Sequence, residues 1–157
     1  LRIYPTAVLE GTKLAEYYFR GGYPQLSQEE VLDYCADALC RCHHAGVRVI
    51  RLGLHDTPSL REHLLAGDFH PAYGELAESR LYLRQLKAAA ADCGKTELFV
   101  ETAPRTMSKG LGQHGCNRKA LAEQGVSLRV RENAAVAAGT LLAGQQVYAV
   151  FTERNSL

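Results

Sequence analysis

What the 157 residues lack narrows the choice of class first. No apolar run approaches the roughly 20 residues that a membrane-crossing helix needs, and no stretch has the basic, apolar and small-residue order of a signal peptide. Membrane partners are therefore not expected. No internal repeat and no low-complexity tract interrupts the chain, which excludes solenoids and linker-like sequences. Neither sign of charge predominates, since 18 Lys and Arg stand against 17 Asp and Glu. No paired-carboxylate site is evident. The five cysteines are an odd number with no second pair at zinc-like spacing, so a disulfide framework gives way to reduced thiols in a cytoplasmic protein. There is also no initiator Met and no leading cap. Leu1-Arg2-Ile3 reads as a strand already inside a fold, and the expectation is a protein whose front half lies elsewhere.

What is present is an ordinary globular composition, 46% hydrophobic and 22% charged, long enough for one domain or two small ones. The near-neutral charge hides an asymmetry. Residues 1–94 carry 10 basic against 12 acidic side chains, and residues 95–157 carry 8 against 5. Two parts with different partners are expected, 1–93 and 94–157.

In the first part, Arg2 to Thr6 reads as a strand and Lys13 to Phe19 as a short helix ended by Gly21-Gly22. Ser27-Gln28-Glu29-Glu30 is a capping box. Behind it, Val31, Cys35, Ala38, Leu39 and Cys42 recur at helical spacing until Ala45-Gly46. Val47 to Leu52 reads as a strand, so strand, helix, strand implies a parallel pair in a layered or barrel architecture. Thr57 and Pro58 are the N-cap and first position of another helix. Gly67 to Pro71 is a loop, and Ala72 to Ala91 a long helix with Leu76, Leu83, Leu86 and Ala90 on one face.

Three blocks of this part resemble a known family. Arg2-Ile3-Tyr4-Pro5-Thr6 runs into Gly11-Thr12-Lys13-Leu14 and Gly22-Tyr23. Ile50-Arg51-Leu52-Gly53-Leu54 follows, and then Gly67-Asp68-Phe69-His70-Pro71-Ala72-Tyr73-Gly74-Glu75-Leu76. Together they resemble radical SAM proteins of the Elongator catalytic subunit-like and oxygen-independent coproporphyrinogen oxidase-like superfamily. The resemblance implies an α/β fold, the C-terminal portion of a radical SAM partial (β/α) barrel. It also implies S-adenosylmethionine (SAM) and a [4Fe-4S] cluster in the parent protein, with the missing N-terminal half of the barrel as a partner. Strand-end positions Arg51 and Gly53 would touch SAM, because active sites gather at the C-terminal ends of barrel strands. The family's cluster motif is C-x-x-x-C-x-x-C. Cys35, Cys40 and Cys42 do not have that spacing, so this chain alone would bind no cluster and be inert.

The second part reads as strand (Glu97 to Ala103), helix (Thr106 to Leu111), Gly112-Gln113-His114-Gly115, helix (Cys116 to Gln124) and strand (Val126 to Arg131). A helix from Ala134 to Leu142 and a strand from Gln146 to Phe151 complete it. Strand, helix, G-x-x-G, helix, strand resembles the minimal K-homology (KH) core, a small α+β module that grips single-stranded nucleic acid. Glycines allow a sharp turn and close backbone approach to phosphate. Arg105, Lys109, Arg118 and Lys119 surround the loop with no acid between Thr102 and Ala122. Lys109, Gly112, Gln113, His114, Gly115, Arg118 and Lys119 are thus the candidate contacts for RNA, including tRNA. The alternative is a plain helix connector with solvated cations. One departure stands out: the KH pattern wants an aliphatic residue where Arg118 stands.

Other clusters have bland readings. Cys40 and His44, at i and i+4, could share a metal, but Cys35 and Cys42 sit on the expected buried stripe, where a thiol behaves as a small hydrophobe. His70 either lines a barrel mouth or fixes its loop by a hydrogen bond, and the second reading is favoured. Tyr4, Tyr17 and Tyr18 read as packing residues. Three functions remain: the C-terminal part of a radical SAM enzyme, a non-enzymatic RNA-binding KH-like module, or a protein-interaction domain.

Overall fold

The computed structural model describes residues 1–67 and 69–153. They form two compact units, Leu1–Gly74 and Glu75–Leu157. Asp68, in the third of the quoted blocks, lies outside the described residues.

In the first unit, β1 (Arg2–Ile3) pairs in parallel with β3 (Arg51–Leu52), in the register Arg2 to Arg51 and Ile3 to Leu52. The crossover between them contains α1 (Lys13–Phe19) and α2 (Gln28–His44), as a parallel pair requires. A second pair is antiparallel: β2 (Val8–Leu9) with β4 (Leu64–Ala66). Sequence reasoning missed it, because two- and three-residue strands carry no periodicity to detect. Val8, Ala15 and Ala66 form its core, with Leu14, Tyr18 and Tyr23 packed against them.

Local capping explains where the helices start. Thr12 Oγ1 accepts from Ala15 N at 3.2 Å and opens α1. At α2, Ser27 N donates to Glu30 Oε2 at 2.8 Å and Glu30 N returns to Ser27 Oγ at 3.3 Å. Ser27 therefore holds the Glu30 carboxyl below its ordinary range. Thr57 and Pro58 open α3 (Pro58–His63), with Leu60 N donating to Thr57 Oγ1 at 3.1 Å. The buried stripe of α2 is Leu32, Cys35, Ala36 and Cys40. It is rotated from the expected one, leaving Cys42 half-buried. Of the expected strand over Val47 to Leu52 only Arg51–Leu52 is a strand, although Ile50 N donates to Leu1 O at 2.9 Å and the Leu1 amino group to Arg48 O at 2.8 Å.

The long helix α4 (Tyr73–Cys93) crosses from the first unit into the second. It buries Ala77, Leu81, Leu86 and Ala89, while Leu76 is only half-buried. The second unit then builds one four-stranded sheet in the order β6, β5, β7, β8: Ser127–Glu132, Glu97–Thr102, Thr140–Ala143 and Gln146–Ala149. β5 is parallel to β6 and antiparallel to β7. α5 (Met107–Leu111) and α6 (Cys116–Ala122) make the crossover from β5 to β6. Leu98, Val100, Leu121, Leu128, Leu141 and Val150 are buried with Leu81 and Leu86 of α4 in its core, each worth about 1.5–3 kcal/mol of transfer free energy.

The helix expected over Ala134 to Leu142 is not there. Asn133 Oδ1 accepts from Ala135 N at 2.9 Å in a turn, Gly139 takes φ +76°, and Thr140 to Ala143 pairs with both β5 and β8. Between Asn133 and Gly139 there are too few residues to repay helix nucleation, whereas the edge of β5 offers ready backbone partners.

Candidate nucleic-acid interface and cofactor positions

The G-x-x-G segment does join two helices. Gly112 has φ +75° and ψ 160°, and Gln113–Gly115 forms one 3-10 turn. His114 (φ 52°) and Gly115 (φ +72°) are both left-handed. Within the turn, Gly115 N donates to Gly112 O at 2.9 Å and Cys116 N to Gln113 O. Gln113 and His114 are exposed there, while Gly112 is buried. A Cβ on Gly112 would lie 2.4 Å from Cys116 Sγ and 2.9 Å from Asn117 N, so this glycine is required by packing as well as by φ.

The residue that fixes the bend is one the sequence did not single out. Asn117, only 2% exposed, shares its Nδ2 protons among Ser79 O (3.1 Å), Ser79 Oγ (3.0 Å), Lys109 O (3.2 Å) and Gly110 O (3.1 Å). Ser79 Oγ in turn donates to Lys109 O at 3.0 Å. α4, α5 and α6 are thereby tied at one point. The signal that could have found it is the departure noted at Arg118. Asn117 turns inward in this helix register, and Arg118 turns out to solvent.

Arg118 carries its guanidinium back over the loop, with Nη2 lying 3.6 Å from where a Gly115 Cβ would be. Lys119 is exposed. Lys109 is half-buried and ion-paired with Glu78, so its charge is already engaged. The candidate set thus divides: Gln113, His114, Arg118 and Lys119 are exposed, Gly115 is half-buried beside the Arg118 guanidinium, Gly112 supports the turn from inside, and Lys109 is tied to α4.

In the first unit, Gly53 has φ +95° and donates its N–H to Ile3 O at 2.9 Å, extending the β1–β3 ladder. A Cβ there would meet Tyr73 Cβ at 2.7 Å. Close packing is thus a sufficient reason for glycine at this position. Arg51 is half-buried in β3. Beyond the C-terminal ends of β1 and β3 opens a cavity of about 550 Å³ lined by Tyr4, Glu10, Leu54, His55 and His63, among others. His63 Nδ1 lies 3.3 Å from Glu10 Oε2. Tyr4, 44% exposed, also lines a second cavity of about 300 Å³ with Tyr23 and Tyr34. It is a wall residue, not a packed one. Neither Arg51 nor Gly53 lines either cavity. Nearby, Arg61 grips Asp56 through Nε (2.5 Å) and Nη2 (2.6 Å), holding the Asp56 carboxyl low and the guanidinium high in pKa.

His70 behaves as a loop anchor: its Nδ1 accepts from Ala72 N at 3.1 Å and its carbonyl from Tyr73 N at 3.2 Å. Tyr17 is exposed but covers Gly22, its ring occupying the space of a Cβ there. Tyr18 packs on the first unit's core. Among the described residues, no three His, Cys, Asp or Glu side chains are placed to hold a metal ion. Cys35 and Cys40 are buried along α2. These residues do not fit an iron–sulfur cluster. No helix among the described residues is long and apolar enough to cross a membrane.

The family model of the radical SAM C-terminal domain matches residues 1–83. No curated protein and no solved structure matches the chain.

Proposed function

The chain belongs to the radical SAM C-terminal domain family, and from that premise we propose that it is the substrate-handling portion of a radical SAM enzyme of the Elongator-like or coproporphyrinogen-oxidase-like kind. Family membership implies SAM and a [4Fe-4S] cluster in the parent enzyme. On this reading the first unit closes the barrel wall, with Arg51 and Gly53 beside the cofactor at strand ends. The second unit, KH-like in element order, holds an RNA substrate such as tRNA.

The observation that carries the RNA reading is the loop: an exposed, rigidly braced G-x-x-G bend with the Arg118 guanidinium beside Gly115 and Lys119 exposed. A phosphate backbone needs close approach to peptide groups and a cation within reach, and the exposed Gln113-His114 turn beside the Arg118 guanidinium supports that reading. The test is a titration of single-stranded RNA and tRNA over a salt series with a double variant, Gln113→Asp and His114→Asp. Affinity should fall about tenfold or more, and the salt slope should shrink by about 0.7 for each lost phosphate contact. Unchanged affinity and slope would remove the clamp.

Catalytic inertness of this chain on its own is part of the same proposal. Three thiolates at the family spacing are needed for the cluster, and its five cysteines do not have it. Anaerobic reconstitution with ferrous iron and sulfide should leave the protein without cluster absorbance and without SAM cleavage. A stoichiometric cluster on this chain would contradict the proposal.

A further inference from the structure

The four-stranded sheet of the second unit has two unlike faces. A Cβ at Gly110 of α5 would touch Thr102 Cγ2, Val130 Cγ1 and Tyr82 Cδ1, so the even-numbered positions of β5 and β6 face the helices. Leu98, Val100 and Leu128 are buried on that side. The odd-numbered positions point the other way. In register they set exposed Glu97 beside Ser127 at one end of the face, then Phe99 beside Arg129 and Glu101 beside Arg131.

On this second face Phe99 is 46% exposed. The Arg131 guanidinium lies over its ring at 4.9 Å from the centroid and is pinned edge-on to Glu101 Oε1, with Nε at 2.6 Å. Asn133 Nδ2 holds the other carboxylate oxygen at 2.6 Å. Those hydrogen bonds, from Asn133 and then Arg131, keep the Glu101 carboxyl below its ordinary range. Glu101 is thereby spent: it is only 8% exposed, whereas the Arg131 side chain is 63% exposed. Its Nε and Nη2 are engaged by Glu101 while most of the side chain stays exposed. Arg129, exposed on the same strand, has no ion-pair partner among the described residues. The outward positions of β7 and β8 add no charge. They are Thr140, Leu142, Val147 and Ala149.

We propose that this open sheet face is a second binding surface for single-stranded nucleic acid, on which a base stacks against the Arg131–Phe99 pair and Arg129 takes a phosphate. An aromatic ring and a planar guanidinium offer π-surfaces that any base can use. The pinning by Glu101 and Asn133 removes the rotamer entropy that a free arginine would lose on stacking. A docked protein is the competing occupant. It finds no broad apolar patch here, because two charged strands form half of the surface. The inference rests on the proposal that the second unit binds RNA, yet it concerns a different face.

The probe is fluorescently labelled single-stranded oligoadenylate, titrated with the full chain. Phe99→Leu keeps an apolar side chain, and Arg131→Lys keeps the charge. Each should weaken binding by about fivefold to a hundredfold with the salt slope intact, as lost stacking would. Arg129→Gln should lower the slope by about 0.7. Ultraviolet cross-linking should place the nucleotide on the peptide containing Phe99, a readout that needs no variant. Parent-like affinity in both Phe99→Leu and Arg131→Lys, with folding confirmed by thermal melts, would overturn the inference. So would a self-associating chain whose dimer dissociates on Phe99→Leu. Loss only in the Gln113 and His114 double variant would keep the loop clamp and overturn the sheet face. Loss only in the sheet variants would do the reverse. A parent chain that binds no oligonucleotide overturns both.

Discussion

Asn117 concentrates more of the second unit's order in one side chain than any residue singled out from sequence. Its amide serves oxygens on α4 and α5 from within α6. Truncation to alanine leaves Gly110 O and Ser79 O buried with fewer partners, a loss of about 1–3 kcal/mol. In a unit of this size, thermal melts of Asn117→Ala should fall by roughly 5–15 °C. A melt within a degree or two of the parent would show that the bracket is dispensable. The same variant should weaken RNA binding even when measured well below its melting temperature, because the bend would no longer be held in one geometry. Tyr148 behaves differently. Burial, and then its 3.0 Å hydrogen bond to Asp92, pushes its phenol up in pKa, so it stays a neutral donor.

At the scale of elements, what the sequence made legible was what is determined locally. The Ser27 capping box, the Thr57-Pro58 helix start, α1 and the two helices around G-x-x-G depend on residues a few positions apart. All of them stand where spacing puts them. What was not legible depends on partners far along the chain. Val8 and Leu9 are a strand only because Leu64 to Ala66 lies alongside. The alanine-rich stretch is a hairpin strand because β5 has an open edge. Asn117 is a bracket because three helices meet at it. Glycines separate the two kinds of constraint. At Gly53, φ +95° combines with Tyr73 Cβ at 2.7 Å. At Gly46, φ +66° stands alone with nothing within 4 Å. Gly46→Ala should therefore cost about 1 kcal/mol. Gly53→Ala should cost about 2 kcal/mol or more, with the β1–β3 pairing loosened. Urea unfolding of the two variants checks this, and equal costs would mean that the Tyr73 contact relaxes freely.

For the whole molecule, the family match over residues 1–83 covers the first unit and the opening of α4. The second unit carries most of its own excess of positive charge on β6 and around the G-x-x-G bend. On the proposed reading, the matched part belongs to the enzyme's barrel and the rest serves its substrate. The resemblance at Arg2 to Thr6, Ile50 to Leu54 and Gly67 to Leu76 and the family match agree, whereas the KH likeness rests on element order and loop geometry. The most direct test is amide hydrogen exchange of the full chain with and without single-stranded RNA at low salt. The account predicts slowed exchange at Gly112 to Lys119, with residues 1–74 unchanged. Slowed exchange confined to residues 1–74, or none anywhere at saturating RNA, would contradict it.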